Sequence, residues 1–203
     1  MLFHNWHLIR RHPVLITVMV LVAGSLQTGL VLLNYEVLKT PLFLDTIATL
    51  ISTAAFGMTA GSLTAVVTHV LLEINSGFSG DFLPWVVVNI SSAVVLGILI
   101  KKRLFSTILH VLTAVICITL VNSILGAMIA TYVYGGITGH RVDYIVTSFL
   151  AIGRSLTSAS FISRLPINII DKGIAVLAAY LFNLLWFSRW ENESDESESG
   201  SSG

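Results

Sequence analysis

Charge is what this sequence has least of. Eleven Lys and Arg and eleven Asp and Glu make up only 11% of 203 residues, against about 25% in a soluble globular domain. That poverty excludes an ordinary cytosolic enzyme, a disordered chain and a nucleic-acid binder. Cysteine is nearly absent as well. Cys117 stands alone inside an apolar run, which excludes a disulfide framework and a cysteine-based zinc site. Catalytic signatures are missing: there is no Walker-type phosphate loop, HExxH, nucleophile elbow or Cys–His pair. GGITG, near residue 135, follows no strand and does not read as a nucleotide-binding turn. An ATP-driven role would need a separate ATPase. No cleavable leader is expected, because Arg10 and Arg11 precede a full-length apolar run that no convincing small-residue cleavage site follows.

What is present is apolar: 55% of the residues are hydrophobic and the mean hydropathy is +0.87. This is the composition of a polytopic membrane protein, with room for about six spans of roughly 20 residues and none for a separate soluble domain. The expected organisation is one transmembrane domain, residues 1–190, and an acidic, Ser-rich tail, residues 191–203. The tail, ENESDESESGSSG, holds Glu191, Glu193, Asp195, Glu196 and Glu198 and no base; without it six acids face eleven bases, a net +5. Having nothing apolar to bury, it is expected to be disordered.

Span by span, a short amphipathic lead with Trp6 at an interface precedes a first crossing over 13–33, opened by Pro13. From 42 to 74 the chain is almost continuously apolar. At ~1.5 Å per residue this stretch would run roughly 50 Å, too long for one crossing of a ~30 Å core. Gly57, in FGMTAG, is the expected break, leaving short spans over 42–56 and 58–74. The loop NSGFSGDF leads to a fourth span, 83–100, closed by Lys101-Lys102-Arg103; a fifth covers 104–133 and ends in YGGITGHRVD. The last covers 165–187, with Trp186 and Trp190 as interfacial anchors. Between them, residues 144–163 are less apolar and carry Arg154 centrally, which suits a helix lying on the surface. The expected fold is therefore all-α: a six-transmembrane-helix bundle with an additional surface or interfacial helix in the fifth loop. Arg10, Arg11, the 101–103 cluster and Arg189 then share one side, cytoplasmic by the positive-inside rule, with both termini there.

Polar groups are unevenly placed in these spans. Asp45, Glu73, Asn75, Asn89, Asn122, Asn168, Asp171 and Lys172 all fall toward the outer ends, whereas the inner halves offer little beyond His110 and Asn183. An ionisable side chain in a bilayer costs at least a few kcal/mol, so it faces the bundle interior or a wet cavity. Convergence at one depth points to a polar cavity opening outward. The structural alternative is that Lys172 neutralises Asp45 or Glu73 while the Asn residues bond between helices. His69 and His110 read as satisfied interior groups, since no second ligand at helical spacing accompanies either. Small residues four apart (Gly24 and Thr28, Ser25 and Gly29, Gly57 and Gly61, Gly61 and Ala65) allow close helix approach. Most should pack the bundle, but Ala23, Gly24, Thr28, Gly57 and Gly61 are also candidates for docking another membrane subunit.

Three segments carry a resemblance: PLFLDTIATLISTAAFGMTAGSLTAVVTH (41–69), YVYGGITGHRVDY (132–144) and LAIGRSLTSASFISRLPINIIDKGIAVLAAYL (150–181). In order and placement they are similar to the substrate-binding S components of energy-coupling factor (ECF) vitamin transporters. The resemblance implies a six-helix bundle in a prokaryotic cell membrane, with its solute pocket near the outer face among helix ends and loops. It implies capture without catalysis or cofactor, in partnership with a transmembrane coupling subunit and two cytosolic ABC-type ATPases, and toppling to release solute inward. The first helix departs from the family's Ala-x-x-x-Ala docking stripe, offering Ala23 with Gln27 or Gly24 with Thr28. Because ligand contacts vary among such proteins, the pocket's location is implied but the ligand is not.

Candidate solute contacts are drawn from the outer side. From the first link and second span come Asn34, Glu36 and Asp45; from the third span and its loop, Glu73, Asn75 and Asp81. Trp85 and Asn89 come from the fourth span, Arg141, Asp143, Tyr144 and Arg154 from the fifth loop, and Asn168, Asp171 and Lys172 from the last span. Trp85 and Tyr144 suit stacking on a flat heterocycle, and Arg or Lys a carboxylate or phosphate. A membrane sensor binding a similar solute and signalling through a partner is the alternative. An autonomous secondary transporter ranks last, because no inverted repeat with paired broken helices is evident.

Overall fold

The computed structural model describes the backbone of residues 13–200 and the side chains of residues 13–185. The expectations placed on Trp6, Arg10, Arg11, Trp186, Arg189, Trp190 and the acidic tail fall outside those side chains. Among the described residues every regular element is a helix. α1 spans Pro13–Leu33 and runs on as a π-helical turn, Asn34–Leu38; α2 is Ile47–Phe56 and α3 Met58–Asn75. A 3-10 turn, Leu83–Trp85, leads into α4, Val86–Lys101. Then follow α5, Ile108–Tyr132, α6, Asp143–Ala151, and α7, Leu156–Gly200.

Among the described residues, four helical stretches are long and apolar enough to cross a membrane: Pro13–Leu38, Leu83–Lys101, Ile108–Tyr132 and Leu156–Leu185. α2 and α3 form a hairpin broken where expected, at Gly57, whose φ of 97° lies outside the range L side chains favour. With ten residues, α2 rises only about 15 Å, half a hydrocarbon core, so the expected span over 42–56 is not a full crossing by itself. Residues 42–46 instead form no regular element, and Leu44 takes a positive φ of 51°. Gln27 of α1 clamps this stretch: its amide nitrogen donates to the Leu44 carbonyl, and its oxygen accepts the Ala48 N–H at 2.6 Å.

The hairpin packs tightly. A Cβ on Gly61 would lie 1.9 Å from Thr53 Oγ1 and 2.9 Å from the Thr49 carbonyl oxygen, and one on Gly24 would lie 2.5 Å from Val67 Cγ1. The hairpin tip reaches α4, where a Cβ on Gly97 would meet Met58 at 2.8 Å.

The fifth loop departs from the single surface helix expected over 144–163. α6 covers only Asp143–Ala151; Gly153, at φ 85°, breaks the chain, and α7 has begun by Leu156. The reason lies in the inward pattern of α7. Ser160, Ser163, Arg164, Ile167, Asn168, Asp171, Lys172, Ala175, Val176 and Ala179 are all buried at spacings of three and four. One stripe thus runs from polar to apolar along a single helix. Its apolar half joins Leu50, Ala54, Leu96, Leu99, Phe105, Val111 and Ile118 in a dense plug at one end of the bundle. The polar half faces the other end.

Candidate solute-binding cavity

The polar end holds a cavity of about 560 Å³, walled by the end of α1, the irregular segment before α2, the ends of α3 and α4, the middle of α5, the 133–142 loop and α7. A second recess of about 470 Å³ shares Asn34, Tyr35, Ile137, Gly139 and His140 with it. Alternating helix directions bring these ends together, which is why residues so distant in sequence share one chamber.

Ion pairing dominates one wall. Lys172 Nζ lies 3.0 Å from Asp45 Oδ1 and 2.6 Å from Asp171 Oδ2, and donates at 3.0 Å to Thr46 Oγ1. Three donors therefore meet three acceptors, and Lys172 is only 1% exposed. The second Asp171 oxygen accepts the Leu44 N–H at 2.7 Å, holding the strained residue in place. Beside them Asn89 donates to the Asp45 carbonyl at 2.7 Å and approaches His69 Nε2 at 3.4 Å, while His69 Nδ1 lies 3.0 Å from the Phe82 carbonyl.

Deeper in, Asn122 bonds Ser92 at 2.7 Å and Asn168 bonds Ser123 at 3.0 Å, stitching α4, α5 and α7 together.

Two tyrosines fasten the 133–142 loop over the chamber. Tyr134 donates to the Asp81 carbonyl at 2.9 Å, and Tyr35 to the Gly139 carbonyl at 3.1 Å. Burial, and next the Asp81 charge, push the Tyr134 phenol up to about 12, so it stays a donor. Asp143 accepts the Thr138 N–H at 2.7 Å and its hydroxyl at 3.0 Å, fixing the loop's far end. His140 turns inward against Phe43, ring centroids 4.9 Å apart. Burial, and next the Arg164 charge, hold its imidazole below the ordinary value.

The candidate residues sort clearly. Asn34, Glu36, Asp45, Asn75, Asp81, Trp85, Asn168 and Lys172 line the chamber. Arg141, Asp143 and Tyr144 line the neighbouring recess instead. Glu73 lines neither; its carboxylate accepts N–H groups of Gly80, Phe82 (2.9 Å) and Leu83 (3.2 Å) and shapes the loop before α4. Asn89 and Asp171 stand behind the wall as supports, and Arg154 is exposed outside both spaces.

The docking residues need correction too. Gly24, Thr28, Gly57 and Gly61 are buried, Gly24 and Thr28 against α3 and Gly61 against α2. They pack the chain on itself; Ala23, beside them, is half-buried.

Sequence reasoning missed Tyr35, Phe43, Tyr134, His140 and, most of all, Arg164, which all line the chamber. Trp85 stacks on Tyr134, ring centroids 5.6 Å apart and planes 6° apart, while Tyr144 lines the neighbouring recess. The signal for Arg164 was available: it extends the spacing of Asn168 and Lys172 back by one turn. Among the described residues no group of three or more His, Cys, Asp or Glu is placed to hold a metal ion. Compared with family models, curated proteins and solved structures, the chain has no match.

Proposed function

We propose that this protein is the solute-binding subunit of an ECF-type importer, capturing a vitamin or similar small nutrient at the outer face of a prokaryotic cell membrane. The observation that carries the proposal is the 560 Å³ chamber set into one end of an otherwise apolar bundle. Small-molecule sites occupy roughly 300–1,000 Å³ and combine apolar walls with a few placed polar groups. Here Tyr35, Phe43, Phe82 and Trp85 supply the former and Asn34, Asn168 and Arg164 the latter.

In this reading α2 and α3 are short membrane-embedded segments that complete a six-segment bundle, with both termini cytoplasmic. The apolar plug at the opposite end keeps solute from leaking through, so inward release needs the whole subunit to move. A transmembrane coupling subunit and two ABC-type ATPases would drive that movement, while this chain binds without making or breaking bonds.

Native mass spectrometry of the protein purified from membranes, with a thermal-shift screen of vitamins, tests the reading. The expected result is one small molecule held per chain and co-purification of a coupling subunit with ATPases. Folded protein stabilised by no vitamin would overturn it, and recovery of a signalling protein in place of ATPases would move the assignment to a sensor.

A further inference from the structure

Among the two buried cations on the chamber wall, only one is spent. Lys172 has all three donors engaged within the protein. Arg164 is equally buried, 1% exposed, yet its Nε and Nη2 have no hydrogen-bond partner. Its remaining contact is long, Nη1 to the Ser160 carbonyl at 3.4 Å. Among the described residues no carboxylate lies within ion-pairing distance of it. Asp143, the acid whose charge acts on it, already accepts from both the Thr138 N–H and its hydroxyl.

The side chain is nonetheless held. Its guanidinium carbon sits 5.7 Å from the centre of the Trp85 ring. Gly126 leaves the notch it crosses: a Cβ there would lie 3.4 Å from Arg164 Cδ and 3.7 Å from Nε. The indole face offsets only part of what it costs to take a cation out of water. A desolvated guanidinium with unpartnered N–H donors, on a residue that lines the chamber, is built for an anion.

We propose that Arg164 is the anion anchor of the chamber, so the captured solute carries a carboxylate or a phosphate group seated on its Nε and Nη2. This deepens the solute-capture reading and rests on it. The aromatic walls fit the remainder of such a molecule as a flat ring, with Trp85 beside the guanidinium.

The test uses the full chain in nanodiscs, with benzoate, phenyl phosphate, inorganic phosphate, benzyl alcohol and benzylamine as probes, read by thermal shift and titration. Benzoate or phenyl phosphate is expected to raise the melting temperature, whereas the alcohol and amine are not. Which of the two anions binds tighter separates a carboxylate site from a phosphate site, and inorganic phosphate reports whether the ring is needed.

Arg164→Gln should weaken anion binding about 10- to 100-fold, the loss of charge-assisted hydrogen bonds, and Arg164→Lys less. Without ligand, Arg164→Gln should melt no lower than the natural chain, because it removes an unpaired buried charge. A clearly lower melting point for ligand-free Arg164→Gln would make Arg164 a structural strut and overturn the proposal, as would anion binding that survives the substitution. A neutral or cationic probe binding both forms equally would overturn the anchor but leave solute capture standing. Binding of no probe and no vitamin by folded protein would end both.

Discussion

Two buried cations in one chamber illustrate how much depends on donor arithmetic at a single residue. Lys172 sits between Asp45 and Asp171, so its loss strands two carboxylates, and breaking such a buried pair costs about 3–5 kcal/mol. Lys172→Ala and Asp171→Ala should each lower the melting temperature of the purified protein far more than Asn183→Ala, whose side chain is also buried but uncharged, so its loss strands no charge. Equal melting of all three would remove the ion triad as a structural element. His140 gives a residue-level pH dependence. Its imidazole is held below the ordinary 6.5 by burial first and the Arg164 charge second, against opposing pulls from Asp143, Asp45 and Asp171. The folded state therefore prefers neutral His140, while the unfolded chain takes up the proton near 6.5. Stability present above that value is lost as pH falls toward the folded-state value. Melting measured from pH 7.5 downward should decline, and the decline should be shallower in His140→Gln.

At the scale of elements, the hairpin of α2 and α3 was legible because length alone forbids one straight helix across 42–74, and Gly57 is where the chain turns. The extent of α2 was not legible. Nothing in PLFLDT announces that Gln27, distant in sequence, clamps the non-helical turn before α2 by bonding Leu44 and Ala48. The start of α7 was missed for a related reason. RSLTSASFIS reads as polar and hence superficial, yet Ser160 and Ser163, with Arg164 directly after them, lie on the inward face of a membrane-length helix. Polarity averaged over a segment misplaces it; polarity followed at spacings of three and four does not. Gly61 tests the hairpin packing. Gly61→Ala thrusts a methyl at Thr53 and at the rigid Thr49 carbonyl, and overpacking of this kind costs typically 1–3 kcal/mol. Gly29→Ala, with nothing within 4 Å of the added carbon, should stay within about 0.5 kcal/mol. Thermal melting of the two variants side by side checks this, and a tolerant Gly61 would mean that α2 and α3 are less tightly packed than described.

For the whole molecule, the division into a plugged end and a chambered end sets how a solute can enter or leave. The plug unites α2, α4, α5 and α7 through residues such as Leu50, Leu96, Ile118 and Val176, all fully buried, so opening that end means repacking the core. The chambered end is closed by the 133–142 loop, whose cross-chamber hydrogen bonds come from Tyr134 to Asp81 and Tyr35 to Gly139, both at exposed positions. Each such bond contributes a net of about 0.5–1.5 kcal/mol, so the loop is the part of the bundle most easily opened. Replacing both tyrosines by Phe keeps the rings and removes only the hydroxyls. Backbone amides of residues 133–142 should then exchange with solvent roughly tenfold faster, as expected for about 1.4 kcal/mol of lost closing energy. Amides in α4 and α5 near the plug should exchange at an unchanged rate. Equal acceleration at both ends would show that the bundle opens as one unit, and no acceleration anywhere would show that the loop is held by packing rather than by its tyrosine hydroxyls.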